Sequence, residues 1–206
     1  MNSFRDFCSE KILDACRARH DYIRWGGYGR AFEDPEALIA AIQDPMHQLA
    51  AKIQLESGCR GEGVGFARSK FSKSKLDIHN MHGIKQDPYF PDREVGEIRT
   101  KEKGGYESSH YVSVDTYAEL EAFIAAHGSL CGDYGSYLQS INKAAKETGQ
   151  YRPKRGPHGI KHAFAQRFFK EAILAGKSTT SAEIETSRRC SHRRGDVFRI
   201  SYSGLR

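Results

Sequence analysis

Two Asp-Pro pairs, ten residues apart, constrain the fold of this chain most strongly, because each pair marks the first turn of a helix. The carboxylates of Asp34 and Asp44 can accept hydrogen bonds from backbone N–H groups of a first turn. Pro35 and Pro45 fit the first helical position, where the missing N–H donor is not needed. Apolar residues follow both pairs at helical spacing, and Gly58 suits the left-handed residue that often ends a helix. The sequence therefore predicts two consecutive helices that end just before Gly58.

A hairpin signal lies in the middle of the chain. The β-prone runs 95–100 and 110–114 flank a segment that contains two adjacent glycines, and a glycine pair between such runs favours a tight turn. The polar stretch 66–94 predicts a loop or an irregular strand pair. Helices are predicted elsewhere: one capped by Asp115 and ended by Gly128, one over 133–149, one over 156–176, one opened by a Thr180–Glu183 capping box, and a last short helix after Asp196 that carries Tyr202. The expected fold class is α+β, mainly α-helical with a small antiparallel β-sheet.

The overall charge indicates a polyanionic partner. The 206 residues include 32 lysines and arginines against 26 acidic residues, a net charge of +6. The five cysteines are scattered without a CxxC pair, which fits a reducing compartment better than a disulfide framework or a zinc site. The N-terminus lacks a secretory signal, and no apolar run is long enough to span a membrane. We therefore expect a cytoplasmic protein without a membrane partner.

Six residues with reactive or charged side chains stand out in chain order: Arg60, Lys103, His158, Lys161, His192 and Tyr202. Each has an ordinary structural explanation when taken alone. Arg60 could pair with a nearby glutamate, His158 could bind a carbonyl at a helix start, and Tyr202 could be a core residue. His158 and Lys161, however, lie three apart where a helix begins, so they share a face near free N–H groups that favour phosphate.

The ordered set resembles the catalytic domain of the tyrosine site-specific recombinases, the phage-type integrases. The segment LESGCRGEG is similar to the family's helix-end box with its first catalytic arginine, and IRTKEKGGYESSHYVSV is similar to the hairpin that bears the catalytic lysine. The segment HGIKHAFAQRF resembles the His-x-x-Arg-His box, and SRRCSHRRGDVFRISYSG resembles the closing box, whose histidine precedes the nucleophilic tyrosine by about ten residues. The resemblance covers roughly residues 35–204, and its last two boxes are the most specific.

The resemblance implies DNA strand cleavage and rejoining through a covalent 3′-phosphotyrosine on Tyr202. It implies that Arg60 and Lys161 stabilise charge on the non-bridging phosphate oxygens, and that Lys103 protonates the leaving 5′-oxygen. His192 would donate to a phosphate oxygen, and His158 would help to take the tyrosine proton. The implied partner is double-stranded DNA, with self-association on DNA, as in the integration of a mobile element, and no cofactor or metal is required.

Three positions depart from the family's pattern. The second arginine is Lys161, which keeps the charge but loses the planar fork that grips two phosphate oxygens. The acidic residue expected three positions after Arg60 is Gly63, and the glycine before the closing-box histidine is Ser191. These departures keep two alternatives open: a DNA-binding remnant with impaired catalysis, and a relative of type IB topoisomerases that relaxes supercoils.

The expected organisation is a short N-terminal segment or linker remnant over 1–34, followed by the recombinase catalytic domain over 35–206. About 35 residues leave no room for the family's N-terminal DNA-clamping domain within this sequence. A second motif, HNMH at 79–82, places two histidines close together. A metal site needs three or four ligands, and only Asp77 is near, so we expect a polar loop there.

Overall fold

The structure is a computed structural model that describes residues 30–68, 74–101 and 107–202, apart from the side chain of Ile200. The predicted segment before residue 30 and the hairpin tip with Lys103 lie outside the described residues. The elements are α1 (Pro35–Ala40), α2 (Pro45–Ser57), β1 (Met81–Gln86), β2 (Glu94–Lys101), β3 (Glu107–Val112), α3 (Val114–His127), α4 (Tyr134–Glu147), α5 (Gly156–Leu174), α6 (Thr179–Arg189) and a final π-helical turn (Phe198–Tyr202). Two short 3₁₀ turns, Gly61–Val64 and Ile78–Asn80, lie between α2 and β1. The predicted fold class is confirmed.

The two Asp-Pro helix starts form as predicted. The Asp34 carboxylate accepts a hydrogen bond from the Ala37 N–H at 2.9 Å, and the Asp44 carboxylate accepts one from the His47 N–H at 3.0 Å. Gly58 ends α2 in the left-handed conformation with φ of 70°. A Cβ atom at Gly58 would lie 2.3 Å from the Phe164 ring of α5, so only glycine allows this close approach of α2 to α5.

Two of the predicted caps are wrong. Ser113, not Asp115, caps α3, and Ser178, not Thr180, caps α6; each serine hydroxyl accepts a backbone N–H at 3.2 Å. Asp115 instead lies in the first turn of α3, where its negative charge favours the positive end of the helix. Thr180 lies inside α6, so it forms no capping box with Glu183.

The sheet has three antiparallel strands in the order β1-β2-β3. The predicted hairpin is the β2–β3 pair, whereas β1 arises from the stretch expected to be irregular and pairs with β2 through an irregular register between Met81 and Ile84. Glu97 of β2 is buried on this sheet, where it accepts hydrogen bonds from Lys85, Arg99 and Ser109. Burial alone raises the pKa of this carboxyl group, but the three donors outweigh burial and lower the pKa of Glu97 to about 2.

Helix α5 is the central element of the core. Its two ends contribute to two apolar clusters, one built mainly with α1 to α4 and the other built with α6 and the final turn. In the second cluster the Phe169 and Phe198 rings stack at 4.3 Å, which fixes the final turn against α5. Along the described part of the chain, no helix is both long and apolar enough to cross a membrane.

Candidate active site

The final turn brings Tyr202 against His192, not against His158, the histidine that the resemblance implied would take the tyrosine proton. The Tyr202 hydroxyl lies 2.9 Å from Nε2 of His192, and the Tyr202 side chain is only 2% exposed. The ring of Tyr202 also lies beside two histidines of α5, with ring centres 6.3 Å from His158 and 4.6 Å from His162. The tenth residue after His192 therefore meets it in space.

His158 lies in the first turn of α5 in a strongly positive environment. Desolvation by the surrounding protein, followed by repulsion from Lys161, Arg30, Arg60 and Arg68, lowers the pKa of His158 to about 4. Because the side chain is accessible to solvent, water screens part of this repulsion. His158 is thus an uncharged imidazole at neutral pH, surrounded by cations that would attract a phosphate.

Arg60 belongs to this positive cluster. It lies two residues after Gly58, at the start of the 3₁₀ turn, and its side chain is half-buried. Its charge contributes to the lowered pKa of His158, which places Arg60 on the same side of the domain as the start of α5. The alternative pairing with Glu56 is not seen: the Glu56 carboxylate accepts hydrogen bonds from Ser113 and Thr116.

Lys161 points into the protein. Its side chain is fully buried, and its Nζ atom donates a hydrogen bond of 2.8 Å to the carbonyl of Cys190. Cys190 comes two residues before His192, so this bond fixes the turn that carries His192. The contact of Lys161 with a phosphate, expected from the second-arginine position, stays a prediction.

The turn that leads to His192 has an unusual backbone. Ser191, at the position where the family's pattern has glycine, adopts a left-handed conformation with φ of 58°. The Ser191 hydroxyl lies 3.4 Å from Nε2 of His110, and Nδ1 of the same histidine lies 3.3 Å from the Ser57 carbonyl at the end of α2. The buried His110 of β3 therefore connects the turn before His192 with the helix end that precedes Arg60.

Arg189, at the end of α6, is a buried arginine surrounded by aromatic rings. Its guanidinium carbon lies 4.9–5.4 Å from the ring centres of Tyr111, Tyr89, Phe164 and Phe168, and burial lowers its pKa. Its Nη2 atom donates to the carbonyls of Glu56 and Tyr111 at 3.4 and 3.3 Å. Favourable cation–π contacts offset part of the cost of burying this charge. Arg189 joins the end of α6 to the end of α2, and hence the His192 turn to the Arg60 turn.

Of the six predicted residues, the structure places Tyr202 against His192 and beside His158, with Arg60 near His158. It buries Lys161 against the Cys190 carbonyl, and Lys103 lies outside the described residues. Sequence reasoning did not single out His110, Arg189, His162 or Gln166, whose side-chain amide donates a 3.1 Å hydrogen bond to the Tyr202 carbonyl. Two signals could have found two of them: His162 is the last histidine of the box that resembles His-x-x-Arg-His, and 158, 162 and 166 recur every four residues on α5. No group of three or more metal-ligating side chains occurs among the described residues, and His79 and His82 belong to none.

Three solved structures similar to this chain are recombinases. A pre-cleavage complex of XerH with its difH substrate aligns with a TM-score of 0.57 and 16% identity over 83% of this chain and 49% of that chain. A post-cleavage complex of XerH with palindromic difH gives 0.55 and 16%, over 83% and 48% of the chains, and XerA recombinase gives 0.54 and 15%, over 84% and 57%.

No protein-family profile matches the chain, and no curated protein matches it. The chain spans about half the length of the recombinases to which it is similar. At these identities the likeness establishes the fold: a mainly helical domain with a small antiparallel sheet, similar to the catalytic domains of tyrosine recombinases.

Proposed function

We propose that this chain is a site-specific recombinase that cleaves and rejoins DNA strands through a phosphodiester bond to Tyr202. The observation that carries the proposal is the 2.9 Å contact between the Tyr202 hydroxyl and His192, beside a cluster of cations around His158. A buried tyrosine held against a histidine is also a common core arrangement. The adjoining positive cluster on a recombinase fold is what favours catalysis.

The chemistry assigned to these groups is transesterification of a phosphodiester: the bond from phosphorus to the DNA 5′-oxygen is exchanged for a bond to the phenol oxygen of Tyr202. The Tyr202 oxygen attacks the scissile phosphorus, the bond from phosphorus to the 5′-oxygen breaks, and the strand is held as a 3′-phosphotyrosine. The tyrosine proton leaves to a histidine, and Lys103 supplies a proton to the 5′-oxygen. Attack by a 5′-hydroxyl reverses these steps and rejoins the strand.

The positions of the histidines refine their roles. His192 is the nearer proton acceptor for Tyr202, because its Nε2 atom can accept the phenol O–H when the ring proton resides on Nδ1. His158 also stays uncharged at neutral pH and can take a proton once the charge of a bound phosphate raises its pKa. We assign Arg60 to the non-bridging oxygens of the scissile phosphate, where its positive charge would stabilise the transition state.

The partner is double-stranded DNA. A net charge of +6 and the cations around His158 favour phosphate contacts, and the XerH structures similar to this chain are complexes with a DNA substrate. Self-association on DNA is part of the proposal, because recombination requires strands held by more than one protomer, and so is integration of a mobile element.

A second candidate function is DNA binding without cleavage. It is favoured by the buried amine of Lys161, which donates to the Cys190 carbonyl instead of pointing into solvent. In that case the second cation expected at the phosphate serves the structure of the His192 turn, and the chain would hold DNA while leaving the strand intact.

The test is covalent trapping on nicked suicide duplexes. The duplexes are supplied as a pool of randomised sequences, so that any DNA sequence the protein prefers to cleave is represented. We expect the wild-type chain to give a protein–DNA adduct that survives denaturing electrophoresis, and Tyr202→Phe to give none while it still binds DNA. Tyr151→Phe is the matched control, since Tyr151 is exposed in a basic loop. Salt-dependent binding without any wild-type adduct would favour the second candidate. An adduct in Tyr202→Phe that Tyr151→Phe removes would assign the nucleophile to Tyr151.

A further inference from the structure

One stripe of α5 contacts Tyr202 at three successive positions. His158, His162 and Gln166 are spaced four residues apart, so their side chains lie on the same face of the helix. The two histidine rings lie 4.8 Å apart on one side of the Tyr202 ring, and the Gln166 amide donates a 3.1 Å hydrogen bond to the Tyr202 carbonyl. The stripe therefore touches both the side chain and the main chain of the same residue.

His162 is a costly residue at its position. Its side chain is only 2% exposed, and neither ring nitrogen has a hydrogen-bond partner among the residues that the structure describes. Burial, then repulsion from His158, Arg30 and Lys161, lowers the pKa of His162 well below its usual value, so the ring is uncharged. An apolar side chain would avoid two unpaired buried nitrogens. The ring itself provides an uncharged aromatic face whose centre lies 4.6 Å from that of the Tyr202 ring.

Gln166 acts on the main chain of the final turn. This turn is a single π-helical unit, and Tyr202 is its last residue. The Phe198 ring anchors the start of the turn in the second apolar cluster, whereas the Gln166 amide contacts its end. Two anchors on α5, one apolar and one polar, thus determine the direction in which the phenol points.

We propose that His162 and Gln166 are positioning residues that dock the Tyr202 turn on α5 of the same chain and aim the phenol at His192. His162 provides a flat, uncharged surface for the phenol ring, and Gln166 fixes the Tyr202 carbonyl. The assignment of a catalytic consequence rests on the proposed function, but the docking itself does not. Neither residue touches the reacting phosphate in this scheme.

The docking is tested first on the free protein, without DNA. Tyrosine is labelled at its Cζ carbon with ¹³C, and the Tyr202 resonance is assigned by its absence in Tyr202→Phe. We expect Gln166→Met to shift or broaden that resonance, with an unfolding temperature close to that of the control Gln139→Met, whose side chain is exposed on α4. A Tyr202 resonance that is the same in both variants would overturn the role of Gln166, whether or not the chain cleaves DNA.

The catalytic consequence is tested by the rate of adduct formation on the randomised nicked duplexes. Gln166→Met should slow the adduct about three- to tenfold relative to Gln139→Met, as expected for one lost hydrogen bond felt in the transition state. His162→Ala should slow it at least tenfold, and His162→Phe should restore most of that loss because it restores a flat ring. If His162→Phe is as slow as His162→Ala, the imidazole nitrogens take part in the chemistry and the positioning role is wrong. If the wild-type chain forms no adduct, the proposed function fails, and the Tyr202 resonance, measured in both Gln166→Met and His162→Ala, alone decides the docking.

Discussion

Replacement of Ser191 by glycine should stabilise the protein. Ser191 has a φ of 58°, and a left-handed conformation costs a residue with a Cβ atom about 1–2 kcal/mol. Glycine removes that cost but loses more chain entropy on folding, by roughly 0.5–1 kcal/mol. The hydroxyl contact with His110 is long, at 3.4 Å, so its loss adds little. The net expectation is a gain of about 0.5–1 kcal/mol in the free energy of unfolding.

Thermal or urea unfolding of three variants measures this effect. For a chain of this length, the gain corresponds to a rise of roughly 1–4 °C in the unfolding temperature. Ser191→Ala removes the hydroxyl but keeps the Cβ atom, so it should be no more stable than the wild type. Lys154→Gly is a matched control for backbone conformation, since Lys154 has a φ of 67° in an exposed loop and should gain a similar amount. A Ser191→Gly protein that is less stable than Ser191→Ala would refute the reasoning and assign the serine a stabilising contact.

Three further predictions concern charge. The His158 resonance in an NMR titration should show a pKa well below 6.5 in the free protein, and DNA should raise it; a free-protein value at or above 6.5 would contradict the cationic environment. The pKa of Glu97 is lowered to about 2, so its contribution to the free energy of unfolding, at most about 3 kcal/mol, should be complete above about pH 4.5 and disappear as the pH falls through 2. Urea unfolding of Glu97→Gln should lack this pH dependence. If residue 161 binds the phosphate, Lys161→Arg should speed adduct formation on the order of tenfold and Lys161→Ala should slow it. An arginine variant slower than the wild type would show that the required contact is the hydrogen bond from the buried Lys161 amine to the Cys190 carbonyl.

Local signals in the sequence predict the elements that begin or end with a strong cap. The Asp-Pro pairs and Gly58 define α1 and α2 because their interactions lie within four residues of each helix end. The caps of α3 and α6 were misplaced because at each helix start two positions, two residues apart, offered a side chain able to cap. Strand β1 gave no signal, since it lies at the sheet edge with no buried residue and contains Gly83 at a φ of 80°. Its formation depends on pairing with β2.

In the candidate site, too, local relations could be predicted from the sequence, whereas contacts between distant residues could not. The resemblance implied that His192 and Tyr202 share a site, since both belong to its closing box, but their direct contact was not predicted. His110 and Arg189 were missed because their contacts join residues more than fifty positions apart, and no local pattern reports such contacts. The direction of the Lys161 side chain was likewise unpredictable, because it depends on where the turn after α6 presents the Cys190 carbonyl.

Mass spectrometry of the trapped adduct tests the central claim most directly. After the suicide duplex is digested to a short nucleotide remnant, trypsin should release the peptide 200–206 with that remnant attached, and fragmentation should place it on Tyr202. The account predicts the modified residue at Tyr202 in the wild-type chain and loss of most of the adduct in His192→Ala, because the phenol loses its nearest proton acceptor. A nucleotide remnant on any other residue would contradict the account, as would DNA binding with no modified peptide at all.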